Sequence, residues 1–327
     1  MELFSNKTDW GITIEKERDF WSKYLLNILI PVPTNCKICN KGKINLRKKD
    51  SIINPYLGKC NNYLCNREIY LRIGTVFEYQ NKTPASVLYC ILSLWLHDEC
   101  NAKQIVNKLK DIYSIDKLNI KTIYKFLHLC RTLIANYIRT IYVLEPLAYK
   151  DAEANLAVDE SLFTHYGGVS QWVIGIVDIE SKSIRLEVVS QRDEDTLKII
   201  INKHIMIGNN IYTDNWNGYN FISRIDSGYN HVRFNHSQGH FGFTSYIESL
   251  WNELKGKLKK LYCTIRADNF IYYLREIEYR RSIKLLNKDQ KIRNFSEIIS
   301  IVGNGKDGGL LSEDELRSIN YDTMFED

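Results

Sequence analysis

The stretch NNIYTDNWNGY, Asn209 to Tyr219, sends a short apolar strand through Ile211 and Tyr212 straight onto the carboxylate of Asp214. The bulky Trp216 follows just beyond it. Asp and Asn open turns, and Asn217-Gly218 suits one, so on its own the stretch reads as a strand end and a turn. Its surroundings raise a second reading, an acid delivered to the edge of a sheet. Upstream lie NLAVDESLF (155–163), the continuous apolar run QWVIGIVDI (171–179) and the alternating SIRLEVVS (183–190), all with strand character. A helix, DEDTLKIIINKHI (193–205), with Asp193 or Asp195 near its start, separates them from the Asp214 strand.

Downstream, YNFISRI (219–225) reads as a helix and HVRFNHS (231–237) as a fifth strand. Two strong helices close the region, SYIESLWNELKGKLKKLY (245–262) and NFIYYLREIEYRRSI (269–283). Three strands, a helix, a strand, a helix, a strand and then helices is the order of a ribonuclease-H-like α/β domain, a mixed five-stranded sheet with flanking helices. We place it at 152–290.

Ahead of it the pattern differs. Residues 1–30 read as a helical segment with Trp10, Ile14, Phe20, Tyr24, Leu25 and Ile28 as its apolar positions. Two prolines in IPVPTN (30–35) end it, and a ribbon follows over 31–80. There Cys36 and Cys39 form a C-x2-C pair, and Cys60 and Cys65 a C-x4-C pair. Zinc takes four thiolates in a tetrahedron, and two knuckles on a hairpin supply them, so one structural Zn²⁺ is expected. So small a ribbon buries too little to fold unaided, and the metal would hold it together. Cys90, Cys100, Cys130 and Cys263 sit singly in apolar patterns, as core thiols.

A helical module resembling a helix-turn-helix spans 83–145, opening at Thr83-Pro84 with Thr83 as cap. Its second helix carries Ile105, Val106, Leu109 and Ile112 on one face. Its long third helix buries a stripe from Ile120 to Ile141 and carries Lys121, Lys125, His128, Thr132 and Arg139 on another face. With Arg131, these cations are either a solvated face or a phosphate-facing one.

Composition bounds the function. At 327 residues, 44% hydrophobic and 25% charged, the chain has the makeup of a globular protein with a real core. Seven acids against two bases after residue 302 give that tail −5, so the preceding residues carry +10 of the net +5. A basic body suits a polyanionic partner. The opening MELFSNKTDW has no signal-peptide core. The longest nearly apolar run, ASVLYCILSLWL (85–96), is too short to span a bilayer, so a soluble intracellular protein with no membrane partner is expected. The tail, 303–327, reads as a linker and an acidic helix capped by Ser312 and Glu315.

Three carboxylates carry chemistry. Asp159 stands inside the first strand where an apolar residue belongs, Asp214 ends the fourth, and Glu248 lies in the first turns of the closing helix. In this strand order the first and fourth strands are neighbours, so Asp159 and Asp214 project together. Crowded acids repel unless divalent cations hold them, and two Mg²⁺ (or Mn²⁺) ions about 4 Å apart would serve phosphodiester displacement. Ser245-Tyr-Ile-Glu248 also fits a capping box, a role that coexists with catalysis. Lys255, two turns below Glu248, is placed to grip a phosphate, and Lys257, Lys259 and Lys260 to line a DNA channel. His236 faces either the metal site or solvent, and Trp216 either wedges under the strand end or stacks on a base.

AVDES, WVIGIVD, RDEDTL, IYTDNWNGY, FNHS and SYIESLWNELK occur in an order and spacing that resemble Merlin-type DDE transposases and their bacterial insertion-sequence relatives. The cysteine ribbon and IGTVFE (73–78) belong to the same pattern, and the likeness covers about residues 30–285. It implies a DDE triad of Asp159, Asp214 and Glu248 and cut-and-paste transposition. It further implies double-stranded DNA partners, namely terminal inverted repeats and target, with a homo-oligomer joining the ends. The location would be the nucleus of a eukaryotic host, or the cytoplasm and nucleoid of a bacterial one. The family's Thr-Asn-x-x-Glu reads Thr244-Ser245-Tyr-Ile-Glu248 here, and after the first Asp-Glu the usual bases give way to His165 alone. The departures leave room for a rival, a domesticated zinc-dependent DNA-binding protein with an inactive domain; a remoter one is another nuclease of this fold such as a junction resolvase.

Overall fold

A computed structural model describes residues 10–73, 75–80, 82–115, 118–144, 153–164, 168–234, 244–261, 265–302 and 311–312. They form two compact units: one from the described residues of Met1–Leu133 and Leu285–Leu311, the other from those of Ile134–Lys284 and Ser312–Ile319. Of the features singled out in the sequence, His165, His236, Cys263 and the acidic tail helix lie outside the described residues.

The first unit opens with α1 (Ile14–Phe20), capped by the Thr13 hydroxyl and prolonged by one wide turn through Leu25. The helix is shorter than the apolar pattern implied, because Leu26 is extended and Asn27 takes a positive φ of 60°. Trp21, Leu25, Leu29 and Ile30 are buried, while Tyr24 and Ile28 face outward. Glu17 is buried beneath them. It accepts from Trp21 Nε1 at 2.9 Å and from the Ser86 backbone N–H at 3.2 Å, and burial pushes its carboxyl up.

Next comes an antiparallel ribbon of β1 (Ile44–Lys48), β2 (Tyr56–Cys60) and β3 (Glu68–Ile69), with Ile44 opposite Cys60. The link from ribbon to helices is fastened by the buried Arg72. Its guanidinium donates to the carbonyls of Ile53, Phe77, Gln80 and Thr83 at 3.2, 3.0, 2.8 and 2.9 Å. Thr83 does not cap α2 (Ala85–Asp98); Pro84 occupies that position, with no side-chain cap. In α3 (Ala102–Tyr113), which opens on an Asn101/Gln104 capping box, Ala102, Ile105, Leu109 and Tyr113 are buried. Ile112, expected on that face, is 62% exposed because Tyr113 takes the inward place. The long α4 (Ile120–Leu144) crosses the division between units, and α8 (Lys288–Val302), which the sequence reading passed over, packs on α2.

In the second unit, β4 (Asn155–Thr164), β5 (Ser170–Asp178) and β6 (Ile184–Val189) form an antiparallel meander. A crossover through α5 (Glu194–His204) leads to β7 (Asn210–Asp214), parallel to β4, and β8 (Asn230–Phe234) lies parallel to β7. The order β6-β5-β4-β7-β8 is that of the ribonuclease-H-like fold. The stretch read as a helix after Asp214 is a 3₁₀ turn, Asn217–Ser223.

Alternation along β4 divides its side chains between two apolar layers. Ala157 and Phe163 join α6 (Thr244–Leu261) and α7 (Phe270–Ser282) on one face, while Leu156 and Val158 join α5 and Tyr219 on the other. The expected stripe of α6 is buried at Ile247, Leu250, Trp251, Leu254 and Leu258. Among the described residues no helix is long and apolar enough to cross a membrane.

A polar cluster ties α4, β6 and α7 together within this unit. The buried Tyr142 hydroxyl accepts from Leu186 N at 2.7 Å and Arg275 Nη1 at 2.9 Å and donates to Glu278. Arg275 also reaches Glu278 at 2.7 Å and Glu187 at 3.2 Å, and Glu187 holds His204 Nε2 at 2.8 Å.

Candidate functional site

Asp159 sits in mid-β4 with its side chain toward the α6 layer. Its partner in the β4–β5 register is Gly175. A Cβ at Gly175 would lie 2.6 Å from Trp251 Cη2 and 3.1 Å from Ile247 Cδ1, so the bare backbone leaves a notch that the indole fills. From there Trp251 Nε1 donates to Asp159 Oδ2 at 2.8 Å. Trp251 is one turn along α6 from Glu248, so the helix that carries the third acid also touches the first.

Asp214 ends β7 beside β4, and its Oδ1 accepts the Trp216 backbone N–H at 2.9 Å. The turn reading of this residue therefore holds, and its place in the sheet holds as well. Burial pushes the Asp159 carboxyl above the ordinary 3.8, the Trp251 donor opposes the shift, and the charges of Asp214 and Glu248 add to it. None of the groups acting most on Asp159 is a cation. The three acids thus share one electrostatic neighbourhood, as a site for added positive charge requires.

Next along β4, Glu160 points to the opposite face. It accepts from Tyr219 Oη at 2.5 Å and Arg192 Nη1 at 3.0 Å. The Arg192 guanidinium lies between two indoles, 4.3 Å from the Trp172 ring centre and 4.7 Å from that of Trp216. Trp216 is half-buried against this layer. The sequence reading passed over Glu160, Arg192 and the two-strand contact of Trp251. The signals were the acid directly after Asp159 and a Trp three residues after Glu248.

The cations expected on DNA separate on inspection. Lys255 is exposed with Nζ over the Phe163 ring at 5.6 Å, and Lys259, Lys121 and Lys125 are exposed. Lys257 is paired with Glu253 at 3.0 Å. Arg139 is half-buried. Arg131 is 6% exposed, its guanidinium 5.6 Å from the Trp95 ring centre, so it packs inside the first unit instead of meeting a phosphate.

In the ribbon, Cys36 and Cys65 Sγ are 3.8 Å apart, and Cys39 and Cys60 Sγ 3.7 Å. A tetrahedron of thiolates around zinc has edges of about 3.8 Å, so the set fits the ion as it stands. Gly42 permits the approach, since a Cβ there would lie 2.3 Å from Cys60 Sγ. Backbone N–H groups of Lys41 and Gly42 hold the Cys39 thiol down to about 6, which favours a ligating thiolate. Among the described residues these cysteines are the one set of Cys, His, Asp or Glu gathered closely enough to hold a single ion. The three carboxylates do not make such a set. A pair of ions bridged by carboxylates does not require the acids to converge on one point.

The sheet order and its acids define a ribonuclease-H-like domain with carboxylates on the first and fourth strands. Residues 159–282 match the family model of the ISXO2-like transposase domain, which supports an insertion-sequence DDE transposase family. The matched segment begins at Asp159 and contains Asp214 and Glu248.

Solved structures similar to the chain include the HTLV-2 integrase catalytic core domain in complex with magnesium, at 14% identity and TM-score 0.26, covering 49% of this chain and 88% of that one. A simian T-cell lymphotropic virus intasome in complex with PP2A regulatory subunit B56 gamma matches at 14% identity and TM-score 0.31, covering 60% and 69%. Likeness this slight says nothing of function. No curated protein matches the chain.

Proposed function

We propose that the protein is a DNA transposase that cuts and joins element ends by metal-dependent phosphodiester chemistry at Asp159, Asp214 and Glu248. The observation that carries the reading is the placing of Asp159 and Asp214 on adjacent parallel strands, with the charges of Asp214 and Glu248 both felt at Asp159, inside a segment that matches a transposase domain. Two divalent cations, Mg²⁺ or Mn²⁺, would supply activation of the attacking oxygen and stabilisation of the leaving one. Asp159 and Asp214 hold one side of the site from adjacent strands, and Glu248 closes it from α6. Lys255 on the same helix binds a nearby phosphate, and Lys259 extends that contact along the backbone. Zinc held by Cys36, Cys39, Cys60 and Cys65 folds the ribbon. With the exposed Lys121 and Lys125 of the helical module, the ribbon recognises the terminal repeats. Two ends must meet, so at least two copies act together.

The test is strand cleavage and transfer on terminal-repeat DNA with Mg²⁺ or Mn²⁺. Asp214→Asn removes several kcal/mol of charge stabilisation, which is on the order of 1,000-fold in rate. Cleavage by Asp214→Asn at the parental rate would overturn the assignment. Nicking without strand transfer would point to a nuclease of another kind.

A further inference from the structure

We propose that Trp251 is a positioning residue for the metal site: its indole N–H fixes the Asp159 carboxylate, and Gly175 is the seat that lets it do so. The inference rests on the site reading above. Three observations carry it. The hydrogen bond from Nε1 to Asp159 Oδ2, at 2.8 Å, runs from α6 to β4 across the strand register. The Gly175 notch lies directly opposite Asp159, and any side chain there would collide with the far edge of the indole at 2.6 Å. Phe163 packs edge-on against the same ring, with centroids 6.0 Å apart, so the indole has little freedom to turn away.

The chemistry favours this pairing. An indole N–H donates only, so it steadies an anion and cannot compete as a ligand for a cation. It does not titrate, so the contact persists wherever the fold does. Because Trp251 and Glu248 share a helix turn, one rigid element sets both the orientation of the first acid and the place of the third. A ligand oxygen held in one orientation costs less ordering when a cation binds, as with other groups that hold metal ligands from behind.

The experiment uses the full chain and compares Trp251→Phe and Gly175→Ala with the parent and with Asp159→Asn. Trp251→Phe keeps a ring in the notch and removes the donor. We expect Mn²⁺ affinity, measured by calorimetry without DNA, to fall about tenfold, and kcat for terminal-repeat cleavage to fall about tenfold. KM for DNA should stay unchanged, and excess Mn²⁺ should recover part of the rate. Gly175→Ala should act in the same direction by displacing the indole.

A second measurement needs no folded Trp251 variant. In ¹⁵N-tryptophan spectra of the parent, one indole N–H resonance should lie downfield, move on adding Mg²⁺, and move upfield in Asp159→Asn. Parental Mn²⁺ affinity and rate in Trp251→Phe, or indole resonances indifferent to both Mg²⁺ and Asp159→Asn, would overturn the inference. If Asp159→Asn cleaves like the parent, the site reading itself fails. If Asp159→Asn is dead and Trp251→Phe is unimpaired, only this inference does.

Discussion

Asp159 is held at a cost. Its folded pKa is raised above the ordinary 3.8, so the native state keeps the proton more tightly than the unfolded chain does. By linkage, that contribution to stability is complete below pH 3.8 and is lost as pH rises through the folded value. At neutral pH the ionised side chain therefore destabilises the metal-free fold. Asp159→Asn should raise the melting temperature of the metal-free protein at pH 7 while abolishing cleavage. Mg²⁺ should raise the melting temperature of the parent and not of the variant. Calorimetric melts with and without Mg²⁺ check both points, and a parent insensitive to the ion would count against the site.

The positions of the acids in the fold were legible because each breaks a local pattern: an Asp among apolar strand residues, an Asp at a strand end, a Glu beside a buried stripe. Trp251 was legible only as a member of that stripe. Its bond to Asp159 depends on which residue of β5 stands opposite, and register is not written in either strand alone.

At the scale of elements, the cluster joining α4, β6 and α7 shows why α7 was easy to place and hard to interpret. Arg275, Glu276, Glu278 and Arg280 look like a solvated face, yet all four are buried, and Arg280 pairs with Glu276 at 2.7 Å. Charges that satisfy one another can occupy positions where periodicity expects apolar residues. The same blind spot hid Arg131 and Arg72.

Glu187 makes the cluster testable. Burial pushes it up, but the His204 hydrogen bond and the Arg275 charge outweigh that and leave it at about 2. His204 is itself lowered by burial, so at neutral pH it is an uncharged donor and Arg275 supplies the charge. A depressed carboxylate stabilises above its unfolded value of 4.5 and loses that contribution as pH falls toward about 2. Thermal melts should therefore drop steeply across that window. Glu187→Gln should cost roughly 3 kcal/mol at pH 7, by leaving Arg275 short of charge, and should flatten the acid limb. An unaltered pH profile would show that the pair is not what holds β6 to α7.

Across the whole molecule, the ribbon and the α/β unit are stabilised by different means, and they should fail separately. Cys60→Ser should bind no zinc and lose affinity for terminal-repeat DNA, while the melting transition of the α/β unit stays in place. Zinc quantitation alongside calorimetry checks this, and a single shared transition would refute it. On the proposed function DNA binding should be salt-dependent, and Lys255→Ala should lower the slope of log affinity against log salt by about one. Binding titrations over a range of salt would read that slope. The strand order of the α/β unit and the cysteine ribbon were readable, since strand patterning and cysteine spacing are local signals. The helix α8 was missed although KDQKIRNFSEIISIV (288–302) carries a helical stripe of Ile292, Phe295, Ile299 and Val302, because that stripe holds no residue tied to the site.

The bare position opposite the first acid has a consequence for how copies of such a gene die. On the transposase reading, a copy can keep every acid and still fall silent through one codon, since any missense change of that glycine adds a side chain where the indole must lie. We expect inactive sister copies to include some with an intact acid triad and a replaced Gly175.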